Sequence, residues 1–223
     1  MGRWAVFLLA AFLAGCATTG ERDPKDPWEG FNRKSFAFNE KLDAAVLKPV
    51  ATGYVKVVPA FAREGVNNFF DNLDDVGTGL NNFLQGKPRQ GASDLGRFAV
   101  NTVLGVFGLW DIATPLGLEK HYEDFGQTLG VWGSGPGPYL VLPLLPPLTV
   151  RDGFGYAVDS ATSPLCYFLG FWDCFGMAVG NTINDRSLNL DLFQGIEEST
   201  VDLYSSVRNG YLQRRNRLIK EGK

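Results

Sequence analysis

"SDLGRFAVNTVLGVFGLWDIATPLGL", residues 93–118, decides what kind of fold this chain has. Ser93 reads as a helix N-cap with Asp94 in the first turn. Leu95, Phe98, Ala99, Thr102 and Val106 recur at helical spacing on one face. Val100, Val103, Leu104 and Phe107 cover much of the other face. A helix apolar nearly all round is buried or faces lipid. Arg97, Asn101 and Asp111 interrupt the run, so it is not a clean membrane span.

Working outward, helices continue on both sides. Residues 28–47 carry Phe31, Ser35, Phe38 and Leu42 at helical spacing, and Lys48-Pro49 ends or bends that helix. Pro59 opens a second stretch with Val66, Phe69, Phe70 and Leu73 on one side, and Asp71, Asn72, Asp74 and Asp75 mark its end. "GLNNFLQGKP" then reads as a short separate helix stopped by Gly86 and Pro88. Residues 125–153, "FGQTLGVWGSGPGPYLVLPLLPPLTVRDG", hold too many prolines and glycines for a long helix, and a hairpin is expected between Val131 and Leu142. "YLVLPLLPPLTV" has no charge and, exposed to water, would be a site of aggregation or membrane contact. Ile183 to Leu192 reads as a polar turn. From Gly195 to about Ile219, the positions Ile196, Thr200, Leu203, Tyr204, Val207, Tyr211 and Leu218 form an amphipathic stripe. The expected fold is all-α, a single helical domain over residues 28–223 with an irregular Gly/Pro-rich hairpin loop.

The front end sets the compartment. One cation, Arg3, precedes an apolar run from Trp4 to Ala14 that is too short to span a bilayer. Leu13-Ala14-Gly15-Cys16 resembles the bacterial lipobox, so residues 1–15 read as a lipoprotein signal peptide and Cys16 as the acylated residue. Residues 16–27 are a flexible, charged and Pro-containing linker. Stable attachment needs more than one acyl chain, and a lipobox cysteine resembling others carries three. Ala17 is not Asp, which in lipoproteins of this kind lets the chain proceed to the outer membrane. The formal net charge of −3 implies no strong electrostatic partner, and charge and compartment both argue against nucleic acid. Cys166 and Cys174 are left. An oxidising compartment permits a disulfide; two buried thiols are the other reading. The aromatic content is high, at 17 Phe, 7 Tyr and 5 Trp, which a soluble core can hold, but the chain also has apolar stretches that are hard to bury completely in one small core.

Enzyme chemistry has no visible parts. There is no G-x-S-x-G elbow, no H-E-x-x-H and no CxxC. The single histidine, His121, has Glu123 and Asp124 near it and reads as a surface residue. In "GSGPGP" the prolines remove the backbone donors that a phosphate loop uses. No catalytic residue, metal site or cofactor is therefore assigned, beyond the covalent N-terminal lipid. The basic end, "RNGYLQRRNRLIKEGK", suits a helix C-terminus; contact with anionic headgroups or an acidic partner is the alternative.

"DPWEGFNRKSFAFNEKLD", "LKPVATGYVKVVPAFAREGVNNFFDNL", "NNFLQGKP", "LGRFAVNTVLGVFGLWDIAT" and "EDFGQTLGVWGSGPGPYLVLPLLPPLTVRDG" resemble, in order and spacing, the VacJ/MlaA outer-membrane lipoproteins over about residues 26–160. "LLPPLTVRD" departs from the family's usual Gly and Ser, and Pro147 stiffens that turn. The resemblance implies a ring-shaped helical domain in the inner, periplasmic-side leaflet of the outer membrane, anchored through Cys16. It implies a central amphipathic channel that removes mislocalised phospholipids from the outer leaflet, keeping the membrane asymmetric. It implies as partners a trimeric porin and a periplasmic carrier that feeds an inner-membrane ABC transporter, with no chemistry on the lipid. Phe36, Phe38 and Asn39 are then candidates for the channel surround, and Gly133, Gly135 and Gly137 for hinges of a gating loop. Arg97 and the Arg151-Asp152 pair are charges in apolar surroundings, either buried ion pairs or headgroup contacts. The rival classes are a porin-binding scaffold without lipid translocation, and a lipid hydrolase.

Overall fold

The computed structural model describes residues 23–163, 166 and 169–221. Cys16 and the signal segment lie outside these residues. The elements in chain order are α1 (Glu29–Leu42), a π-helical turn (Asp43–Leu47), α2 (Lys48–Val57), α3 (Ala60–Leu84), α4 (Pro88–Val103), α5 (Phe125–Val131), β1 (Tyr139–Leu140), β2 (Leu148–Thr149), α6 (Val150–Thr162), α7 (Phe171–Leu188), α8 (Leu190–Ser199) and α9 (Leu203–Glu221). The fold is all-α. Its one sheet, among the described residues, is the two-residue antiparallel pair β1–β2, with Tyr139 opposite Thr149 and Leu140 opposite Leu148.

The packing closes into a ring. The π turn joins α1 to α2, α2 packs on α7, α7 on α3, α3 on α5 and α5 on α9. The circuit returns to α1 through the Arg33 guanidinium, which grips Asp202 at the start of α9 at 2.8 and 3.1 Å, and through Phe36 edge-on to Tyr204. Helix α4 lies along α3, and α6 lies along α5.

Several boundaries differ from the sequence reading, each for a local reason. Pro49 does not end the first helical stretch. It sits in the first turn of α2, where a missing N–H costs least, and the π turn before it absorbs the change in bonding. The Asp71–Asp75 cluster does not end α3, which runs unbroken to Leu84 because Asp75 is buried between cations rather than hydrated. Helix α4 starts at Pro88, not Ser93, since proline at the first helical position is pre-set for the helix.

The same helix stops at Val103. Beyond it the chain doubles back through Val106 (φ 52°), Phe107 (φ 60°) and Gly108 (φ 88°). A β-branched residue at positive φ is costly. The turn is held because Asn101 Oδ1 accepts from the backbone N–H of Ile112 at 2.8 Å and of Ala113 at 2.9 Å. The strand pairing closes at residues 139–149 rather than 131–142. Residues 183–188 belong to α7, so the polar stretch there is helix, and the terminal helix proper begins at Leu203.

Candidate functional site

The interior and exterior of this protein are exchanged relative to a water-soluble domain. Among the described residues, seven apolar side chains are buried against 19 polar or charged ones, while 32 large apolar side chains are exposed. The exposed set includes Phe61, Val103, Phe107, Phe171 and Trp172, each more than 70% exposed. Water-soluble proteins rarely leave such surface uncovered. Buried polar groups must be hydrogen-bonded, and they act as glue where the surroundings are apolar.

Three polar networks do this. On α1, Asn32 and Asn39 stand two turns apart and clamp the apolar hairpin by its backbone. Asn32 donates to Tyr139 O at 3.0 Å and accepts from Val141 N at 2.9 Å. Asn39 donates to Leu142 O at 3.0 Å and accepts from Leu144 N at 2.9 Å. In the second network Arg97, 2% exposed, donates to Asp75 at 3.3 Å, Thr114 Oγ1 at 2.9 Å and Asp111 at 3.2 Å, and also to Leu118 O. Lys120 completes the neutralisation of Asp75 at 2.9 Å. In the third, Asp152 accepts from Arg151 at 2.8 Å, Arg215 at 2.8 Å and Tyr211 OH at 2.5 Å, while Arg215 also pairs with Asp124. Burial works against ionising Asp124 and Asp152, but the Arg215 hydrogen bonds and charge outweigh it and hold both carboxyls below their usual range.

Beside this third network lies a cleft of about 440 Å³, within the size range of small-ligand sites. Helix α3 contributes Leu73, Asp74, Val76 and Leu80; α6 contributes Tyr156 and Asp159; α9 contributes Tyr211, Arg214, Arg215 and Leu218. Its walls are thus apolar with a few charges. Asp74 opens to the cleft, yet desolvation by the surrounding protein lifts its pKa to about 6, with Lys120 opposing and Asp71, Asp75 and Asp159 reinforcing the shift. Desolvation raises Asp159 as well.

The residues singled out from sequence separate into distinct places. Arg97 and Arg151-Asp152 are buried ion pairs, in different networks. Phe36 packs with Tyr139, Val141 and Tyr204; Phe38 is half exposed; Asn39 holds the hairpin; none of the three lines the cleft. Gly133 (φ +99°) and Gly137 (φ +67°) adopt left-handed backbone that only glycine takes easily, whereas Gly135 does not. Their loop is tied to α6, since Val150 N donates to Pro138 O and Arg151 N to Pro136 O. Cys166 and Cys174 are paired, Cα atoms 5.3 Å apart. His121 Nδ1 lies 2.7 Å from the buried Asp94 carboxylate, which also accepts from Asn82. The sequence reading missed Asn32, Asp74, Asp159 and Arg214. Asn32 had a signal, its seven-residue spacing from Asn39; the other three had none, because no motif joins α3, α6 and α9.

The MlaA lipoprotein family model matches residues 24–218. The chain belongs to the MlaA lipoprotein family. It is 36% identical to the intermembrane phospholipid transport system lipoprotein MlaA of Escherichia coli (strain K12), over 98% of this chain and 88% of that one. The protein of the same name in Haemophilus influenzae is 30% identical over 97% of this chain and 89% of its own. A solved structure described as "Structural basis for maintenance of bacterial outer membrane lipid asymmetry" superposes with a TM-score of 0.79 at 38% identity, covering 89% of this chain and all of that one.

Proposed function

We propose that this chain is an outer-membrane lipoprotein, anchored through Cys16 on the periplasmic side, that removes mislocalised phospholipids from the outer leaflet and so maintains lipid asymmetry. Phospholipid passes inward through an amphipathic passage and is handed to a periplasmic carrier that feeds an inner-membrane ABC transporter; a trimeric porin is the lateral partner. The observation that carries this reading is the exchange of polar interior and apolar exterior around a closed helical circuit. Apolar walls suit acyl chains and spare them water, and paired charges inside suit a headgroup in transit. No helix among the described residues is long and apolar enough to cross a membrane, which fits a body embedded in one leaflet. No step of the passage needs a bond made or broken.

The test is deletion of the gene in its host, with wild-type and Cys16→Ala chains returned separately. Outer-leaflet phospholipid is then measured by headgroup labelling of intact cells. A rise that the wild type reverses and Cys16→Ala does not is the expected result. An unchanged outer leaflet on deletion would refute lipid removal and favour the porin-binding scaffold.

A further inference from the structure

Charges in the cleft do not all cancel, and the remainder has a sign pattern. Glu123 is neutralised by Lys87 at 2.7 Å. Asp124 is neutralised by Arg215. Among the described residues, Asp74 and Asp159 have no cation within salt-bridge reach, and Asp159 accepts only from Phe125 N at 2.9 Å and Asn81 at 3.4 Å. Arg214, exposed on α9 where it lines the same cleft, makes no ion pair among the described residues. A fourth polar group borders the cleft. Gln127, 2% exposed, lines the cleft with its Nε2 used by Tyr122 O and Asp124, leaving the buried Oε1 without a donor. A buried acceptor with no donor is costly and calls for one.

We propose that this cleft reads phospholipid headgroups and selects those carrying a primary ammonium, as in phosphoethanolamine, over anionic headgroups that lack one. The inference rests on the lipid-passage reading above and gives it a substrate class. The two carboxylates without a cation, Asp74 on α3 and Asp159 on α6, match N–H donors of a primary ammonium. The Arg214 guanidinium on α9 matches the phosphate, for which its planar fork is suited. A quaternary ammonium has no N–H to give these acceptors. A phosphoglycerol headgroup brings a second uncharged end to two uncompensated carboxylates. Leu73, Val76, Leu80 and Leu218 supply apolar wall for the start of the acyl chains.

The experiment uses the full lipid-anchored chain in detergent and isothermal titration with dihexanoyl phosphatidylethanolamine, phosphatidylglycerol and phosphatidylcholine below their micelle thresholds. Losing one charge-assisted contact changes affinity by roughly tenfold, so the ethanolamine lipid is expected to bind about tenfold tighter than the other two. The Asp74→Asn/Asp159→Asn double variant is expected to bring the ratio within about twofold, and Arg214→Gln to weaken the ethanolamine and glycerol lipids alike by roughly tenfold. Thermal melts accompany each variant, and Asp74→Asn alone substitutes if the double variant does not fold. Equal wild-type affinity for the three lipids, or a ratio that survives loss of the carboxylates, overturns the selectivity while leaving lipid passage standing. Binding of none of them by the wild type overturns both. Free phosphoethanolamine is the last arm: affinity equal to that of its lipid would assign the site to the soluble compound and overturn the lipid assignment.

Discussion

Replacing Arg97 by Met is the sharpest probe of the inside-out architecture. The guanidinium is 2% exposed and meets Asp75, Asp111, Thr114 and the Leu118 carbonyl. Met keeps the length and apolar stem but removes every donor. Asp75, itself 0% exposed, is left with Lys120 as its only cation. Removing one partner of a buried ion pair costs about 3–5 kcal/mol, because the other charge is stranded. The freed Leu118 carbonyl adds about 1 kcal/mol. Folded domains hold only about 5–15 kcal/mol in total, so the variant should be near the edge of folding. At about 2–4 °C per kcal/mol for a chain of this size, the melting temperature should fall by roughly 8–24 °C. Arg97→Lys keeps one cation but not the fork, and should lose about half as much. Circular dichroism melts in detergent, alongside outer-leaflet headgroup labelling in cells, are the assay. An Arg97→Met protein that melts within about 2 °C of wild type yet no longer clears outer-leaflet lipid would refute this structural assignment. It would make Arg97 a headgroup contact instead.

Other expectations follow from single contacts. A Cβ on Gly155 would lie 2.3 Å from Gly126 N, where α5 and α6 touch, so Gly155→Ala should destabilise by about 2 kcal/mol; Gly176→Ala in α7 meets nothing within 4 Å and should stabilise by up to about 1 kcal/mol. Both are read by thermal melts. Asn32→Ala removes donor and acceptor from the hairpin backbone and should cost about 2–3 kcal/mol, with hydrogen exchange at Val141 accelerated in step with the loss. Stability should vary with pH in two directions. Asp124 and Asp152 titrate below their unfolded values, so their contribution is present above the ordinary carboxylate range and lost as the pH falls through their folded values. Asp74 titrates above its unfolded value, so its contribution is present below pH 3.8 and lost as the pH rises through about 6; Asp74→Asn should flatten the melting temperature across that window. Alkylation without reductant should label neither Cys166 nor Cys174, and label both after reduction.

What the sequence by itself determined was class and company. Helical periodicity around Phe31–Leu42 and Leu203–Leu218 is local and survives in the fold. Apolar stretches that one small core does not readily bury announced the exposed apolar surface of the fold. The long composite motifs carried the family, which the match over residues 24–218 bears out. Polar residues within apolar runs, Arg97 and Arg151-Asp152, were visible as anomalies, but their partners were not. Asp75 is 22 residues from Arg97, and Arg215 is 63 residues from Asp152. Tertiary structure alone decided such pairings, because an ion pair is fixed by where helices cross and not by spacing along one of them. It also decided the helix ends. Asp71–Asp75 looked like a stop, since carboxylates prefer water; inside a ring that supplies Lys120 and Arg97, Asp75 is core, and the helix runs through. The cleft charges lie on separate helices, and nothing short of closing the ring brings Asp74, Asp159 and Arg214 to one cavity.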